Sequence, residues 1–133
     1  MTQAGNKAEA VEEASRARSL ASGYKVTYPI FIDTESASNG RANGLSKSAR
    51  TAVVKAFCQT VRNGGYKAGV YASKSWYANQ LNASALNGYC IWVAQYNSSC
   101  TYSGKYDMWQ YSSKGSVSGI KGNVDMNISY TGY

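Results

Sequence analysis

The chain has 133 residues, enough for one domain with a single hydrophobic core, and 44% of them are hydrophobic against 16% charged. The absence of histidine excludes Ser-His-Asp and Cys-His catalysis, histidine general bases and histidine-ligated metal sites. Fourteen Lys and Arg against seven Asp and Glu give a net charge of +7, which favours anionic surroundings and leaves acid–base chemistry mainly to a few carboxylates.

Predicted helices and strands alternate over the first two thirds of the chain. Helices are predicted over residues 7–21, 47–62 and near 75–81, and strands over 28–33, 67–73 and 89–96. The first helix has Asn6 as N-cap and Gly23 just past its end, and Ser73 or Ser75 opens the third. This order favours right-handed βαβ crossovers and a parallel sheet.

The alternation of predicted helices and strands ends after residue 96. Two more strands are predicted over residues 106–112 and 122–130, and the Gly/Ser-rich loops that join them are too short for a crossover helix. At least one of these pairings is therefore expected to be antiparallel.

Two carboxylates follow the first apolar strand, in the stretch YPIFIDTESAS. In an extended chain residues i and i+2 point to the same side, so Asp33 and Glu35 share a face at the carboxyl end of a strand, where α/β folds place their active sites. Paired carboxylates are the usual equipment for glycoside hydrolysis. An isolated D-x-E at a strand end is, however, more often a turn or a salt-bridged cap.

Aromatic residues next to amides shift this balance towards a sugar site. Tyr71, Trp92, Tyr96, Trp109 and Tyr111 lie in or at the end of predicted strands, beside Gln95 and Gln110. Flat rings stack on sugar rings while amides bind their hydroxyls, although single aromatic residues usually fill a core.

The cysteines predict no metal site. Cys58, Cys90 and Cys100 lack C-x-x-C spacing and have no histidine to complete a zinc site, so no metal or other cofactor is expected. An odd count leaves at least one free thiol. A disulfide bond between Cys90 and Cys100 could close a loop, but buried free thiols are the commoner arrangement.

Several segments together closely resemble the glycoside hydrolase family 25 lysozymes, the muramidases of bacteria and their phages. They are YPIFIDTES, GGYKAGVYAS, IWVAQY and YDMWQYSSKGSVSGIKGNVDMNISY, in the order and at the spacing of that family. The resemblance implies an irregular, flattened α/β barrel of the TIM type. It also implies cleavage of the β-1,4 bond between N-acetylmuramic acid and N-acetylglucosamine in peptidoglycan.

The resemblance also implies roles for individual residues. Glu35 would be the general acid/base, Asp33 would assist the transition state, and Asp125 would line the same cleft from the last strand. The predicted substrate-binding residues are Tyr71, Trp92, Gln95, Trp109 and Gln110. Asp107 is as readily a structural residue as a member of the cleft.

The chain resembles only the C-terminal two thirds or so of the family's catalytic domain. We expect residues 1–133 to form one partial barrel without its first strands, with an N-terminal helical part over 1–24 and the barrel elements over 25–133. Such a barrel leaves strand edges unpaired, so a homodimer or the N-terminal helix is expected to cover them. The alternative function is an inactive barrel that only binds cell-wall glycan or self-associates.

The remaining partner classes are excluded on sequence grounds. No zinc-finger, RNA-recognition or homeodomain pattern is present, so no nucleic acid partner is expected. No apolar run approaches the ~20 residues of a membrane span, and no membrane partner is expected. The first residues lack the basic and apolar regions of a signal peptide, although the implied site of action is the cell wall or the cell exterior.

Overall fold

A computed structural model of the chain describes residues 2–36, 43–119 and 121–131. Its helices are α1 (Lys7–Ala21), α2 (Lys47–Asn63) and α3 (Lys74–Asn79), followed by a short 3₁₀ turn (Ala83–Leu86). Its strands are β1 (Ile30–Asp33), β2 (Ala68–Ser73), β3 (Cys90–Ala94), β4 (Met108–Gly115) and β5 (Val124–Ser129). These elements confirm the predicted order. Ile120, within the most family-like segment, lies outside the described residues.

Each helix begins at a polar side chain that accepts a hydrogen bond from the backbone N–H three residues further on. These N-caps are Asn6, Ser46 and Ser73. Of the two serines predicted to open α3, Ser73 is therefore the one that does so. Because this cap is the last residue of β2, it turns the chain into α3 at the carboxyl edge of the sheet.

The five strands form one sheet in the order β1-β2-β3-β4-β5. The first three pairings are parallel and the β4–β5 pairing is antiparallel, as predicted. The parallel register places Asp33 beside Tyr71 and Tyr71 beside Trp92, while Gln110 pairs with Asn127 across the antiparallel pair. The sheet thus aligns polar and aromatic residues from all five strands at one end.

The core lies between α2 and one face of the sheet. The α2 side chains of Val54, Cys58 and Val61 are fully buried, as are Val70 of β2 and Val93 of β3. All three cysteines are free. Burial raises the pKa of the Cys58 thiol to about 12, whereas Cys90 and Cys100 are only partly buried, contrary to the expectation of buried thiols.

The sheet has two edges, β1 and β5, and within the described residues neither pairs with a further strand. The segment before α1 covers only the end of the β1 edge, where the Thr2 N–H donates to the Asp33 carbonyl at 2.7 Å. Glu13 of α1 anchors this segment by accepting from the Gln3 N–H at 3.0 Å. The fold is therefore a partial β/α barrel with open edges, as predicted from the sequence.

Candidate active site

The fold brings the three predicted acids together. Asp33 ends β1, Glu35 follows two residues later, and Asp125 lies near the start of β5, at the opposite edge of the sheet. All three line one cavity of about 390 Å³. We call it the acidic cavity, and its lining residues are Phe31, Asp33, Glu35, Tyr71, Trp92, Tyr96, Gln110 and Asp125.

The surroundings of Glu35 favour its protonated form. Burial raises the pKa of its carboxyl above the usual range, and the negative charge of Asp33 raises it further. A carboxyl with a raised pKa keeps its proton to a higher pH than an ordinary glutamate does and can donate it to a leaving group, as a glycosidase general acid must. The surroundings of Glu35 therefore suit acid catalysis.

Aromatic rings form one wall of the acidic cavity. The Trp92 ring makes edge-to-face contacts with Tyr71 at 4.7 Å and with Phe31 at 5.1 Å between ring centres. The Trp92 indole N–H donates to Asn127 Oδ1 of β5 at 2.9 Å, which fixes the ring across the sheet. Gly69 makes room for this arrangement, because a Cβ there would collide with the Phe31 ring.

Gln110 fixes two tyrosines of the same cavity. Its side chain is 3% exposed, and its Oε1 accepts from the Tyr71 hydroxyl at 2.6 Å and from the Tyr96 hydroxyl at 2.9 Å. Burial, followed by the neighbouring Tyr96, raises the pKa of Tyr71, so its hydroxyl remains a hydrogen-bond donor. Phe31 and Tyr96 are cavity residues absent from the predicted substrate-binding set.

Two predicted substrate-binding residues lie outside the acidic cavity. Trp109 is buried, and its indole N–H donates to the Gln95 carbonyl at 2.9 Å. The Gln95 side chain binds Thr101 through both its oxygen and its nitrogen, each at 2.7 Å. Neighbouring residues of a strand point to opposite faces of the sheet, so Trp109 and Gln110 cannot both face one cavity. This separation could already have been predicted from the sequence.

Asp107 belongs to the opposite end of the sheet. Its Oδ2 accepts from the Ile91 N–H at 2.9 Å and from Lys105 Nζ at 2.5 Å. These contacts tie the start of β4 to β3, so Asp107 is a structural residue.

Within the ranges that the structure describes, no three side chains of the metal-binding types gather into a group that could hold a metal ion. None of the helices there has the length and hydrophobicity of a membrane span.

The same arrangement of elements occurs in solved structures of an endolysin and an autolysin. The CTP1L endolysin is 28% identical with a TM-score of 0.76, over 95% of this chain and 43% of that one. The autolysin LytC from Streptococcus pneumoniae is 25% identical with a TM-score of 0.78, over 93% of this chain and 31% of that one. LytC has also been solved in complex with a synthetic peptidoglycan ligand.

A family 25 glycosyl hydrolase from Bacillus anthracis shares the fold at 22% identity and a TM-score of 0.76, over 98% of this chain and 61% of that one. The chain thus spans 31–61% of the length of these three structures. No curated protein sequence matches it. The sequence profile of glycosyl hydrolases family 25 matches residues 2–120, which is nearly the whole chain. The chain therefore belongs to glycosyl hydrolase family 25.

Proposed function

We propose that the chain is a peptidoglycan hydrolase that cleaves the β-1,4 bond between N-acetylmuramic acid and N-acetylglucosamine. The observation that supports this most strongly is the convergence of Asp33, Glu35 and Asp125 on one cavity with an aromatic wall. Family membership and the likeness to an autolysin solved with a peptidoglycan ligand point to the same substrate. The cell wall, outside the membrane, is the corresponding site of action, and the charge of +7 suits its anionic polymers.

In this proposal Glu35 is the general acid. The bond between the anomeric carbon and the glycosidic oxygen breaks, and the oxygen leaves with the bonding electrons and the proton of Glu35. Asp33 and Asp125 stabilise the positive charge that develops on the remaining sugar ring, and Asp33 also orients its acetamido group. Water supplies the hydroxyl at the anomeric carbon and returns a proton to the site. Tyr71, Trp92 and Gln110 contact the sugar or fix the rings that do.

The charge of Asp33 is expected to contribute to the proton affinity of Glu35. Burial is the larger cause of the raised pKa of Glu35 and Asp33 the next, so Asp33→Asn should lower that pKa while leaving it above the ordinary value. A lower pKa means that the general acid loses its proton at a lower pH. An NMR titration of the Glu35 side-chain carboxyl carbon measures the midpoint directly, without requiring turnover.

The matched control for this titration is Glu12→Gln, which removes the same charge from an exposed position on α1. It should leave the midpoint of Glu35 where it is in the parent chain. A midpoint in Asp33→Asn that equals or exceeds the parent value would contradict the proposed coupling of the two carboxyls.

Self-association is the second part of the proposal. Ile128 and Tyr130 are exposed at the β5 edge, and Val26 and Tyr28 are exposed just before the β1 edge. Apolar side chains beside unpaired strand edges favour pairing with a second copy, which would form a two-fold dimer. An inactive barrel that only binds glycan would expose the same edges, so association does not depend on catalysis.

The dimer is tested by measuring the mass of the chain in solution by light scattering over a range of concentrations. The parent chain should have the mass of two copies, and Ile128→Lys should shift it to one, because a buried unpaired charge opposes the contact. Leu20→Lys places the same charge at an exposed site on α1 and should leave the dimer intact. A parent chain that stays monomeric at high concentration would overturn the association.

Hydrolysis itself is tested on purified bacterial cell walls. The parent chain should lower the turbidity of the wall suspension and release reducing sugar ends. A chain that binds the walls without releasing ends would instead have the alternative function of a glycan-binding barrel.

A further inference from the structure

Glu35 lines a second cavity besides the acidic one. This groove has a volume of about 570 Å³ and is formed chiefly by the end of β2 and by α3. We call it the α3 groove, and besides Glu35 the residues that line it include Ser73, Ser75, Trp76, Asn79 and Gln80. Because one acid borders both spaces, a chain of sugars could extend from one cavity to the other past Glu35.

The aromatic ring of the α3 groove is held in a fixed position. The Trp76 indole N–H donates to Thr34 Oγ1 at 3.1 Å, and Thr34 is the buried residue between Asp33 and Glu35. The guanidinium carbon of Arg50 lies 4.8 Å from the centre of the Trp76 ring. The indole is therefore oriented relative to the two acids before any ligand binds, which lowers the entropic cost of binding.

The polar groups of the groove suit an uncharged sugar. The Gln80 Oε1 accepts from Arg50 Nη1 at 3.0 Å, so the amide NH₂ is the part of Gln80 that can donate to a ligand. Ser75 and Asn79 are exposed and offer a hydroxyl and an amide. Glu35 is the single carboxylate among the described residues that line this groove, whereas the acidic cavity has three.

Charge decides which sugar belongs in which cavity. The ring whose anomeric bond breaks acquires positive charge in the transition state, so it belongs beside Asp33 and Asp125. The leaving ring only receives a proton from Glu35 and stays neutral. We infer that the α3 groove binds the N-acetylated sugar ring on the leaving side of the cleaved bond, with Trp76 as its stacking surface. This inference rests on the proposed function.

The three tryptophans of the chain allow both cavities to be observed in one experiment. Trp92 reports on the acidic cavity, Trp76 on the α3 groove, and the buried Trp109 on neither. The probe is a soluble peptidoglycan tetrasaccharide of alternating N-acetylglucosamine and N-acetylmuramic acid. It is titrated into the ¹⁵N-labelled Glu35→Gln chain, which keeps the ligand intact, and the three indole N–H resonances are followed.

The Trp76 and Trp92 resonances should shift with one dissociation constant while the Trp109 resonance stays in place. If Trp92 alone shifts, the groove does not hold the leaving sugar, and the proposed function stands without it. If neither Trp76 nor Trp92 shifts, both the groove and the proposed function are overturned.

A variant at the rim of the α3 groove tests the assignment of the leaving sugar independently. Asn79→Leu replaces an exposed amide in the groove and should raise the dissociation constant of the tetrasaccharide about tenfold, through lost hydrogen bonds and a narrower groove. Asn87→Leu makes the same change at an exposed position outside the groove and should leave the constant unchanged. An unchanged constant in Asn79→Leu would overturn the assignment.

Discussion

Replacing Glu35 by glutamine is expected to lower the rate of wall hydrolysis by a factor of about 10²–10⁴, the usual contribution of a general acid. Glutamine has nearly the shape of glutamate but carries no acidic proton for the leaving oxygen. Because glutamine nearly keeps the shape of glutamate, the change should leave sugar binding in the acidic cavity and the α3 groove, both of which Glu35 borders, largely intact. The measurement is the rate at which reducing ends are released from purified walls, together with the affinity for soluble glycan.

The control for this change is Glu12→Gln, at an exposed position on α1 far along the chain from the acids. It raises the net charge by the same one unit, so it separates the loss of the acid from any strengthening of the attraction to an anionic wall. Its rate should equal that of the parent chain. Undiminished hydrolysis by a folded Glu35→Gln variant would remove Glu35 from the proposed mechanism.

The largest expected effect on stability comes from the 3₁₀ turn between α3 and β3. Leu86 is 0% exposed and belongs to the core that α2 and the sheet enclose. Leu86→Ala removes buried apolar surface and leaves a cavity, which should lower the free energy of unfolding by about 2–5 kcal/mol. For a domain with a total stability of about 5–15 kcal/mol, this is a large fraction. Urea denaturation measures it as a fall in the transition midpoint.

Leu20→Ala is the matched control, because Leu20 is 75% exposed on α1. The same three carbons are lost from a side chain that mostly contacts water, so the free energy of unfolding should change by no more than about 0.5 kcal/mol. Equal effects at the two positions would contradict the placement of Leu86 in the core.

The predicted elements were correct because each had a local physical cause in the sequence. The N-cap residue Asn6 and the apolar spacing of α2 determined two helices, and the short Gly/Ser-rich link between β4 and β5 favoured their antiparallel pairing. The same reasoning brought Asp33 and Glu35 to one side of the sheet. These features depend on neighbours in the chain, which a single sequence displays.

The parts of the site that the sequence did not predict depend on contacts between different elements of the fold. Tyr96 is one of the strand-end aromatic residues visible in the sequence, but its place in the acidic cavity depends on Gln110 of β4, whose Oε1 accepts a hydrogen bond from the Tyr96 hydroxyl. The α3 groove owes the fixed orientation of Trp76 to Thr34 and Arg50, which are 42 and 26 positions away along the chain. No spacing rule encodes such pairs. Strand alternation, in contrast, could already have separated Trp109 from Gln110.

The most direct test of the central claim is to identify the fragments that the parent chain releases from purified peptidoglycan. Mass spectrometry after reduction of the new ends distinguishes which sugar was at the cleaved bond. The proposed function predicts muropeptides with N-acetylmuramic acid at the new reducing end, and at least about a hundredfold slower release of them by Glu35→Gln. A folded parent chain that releases no fragments, or only fragments that end in N-acetylglucosamine, would contradict it.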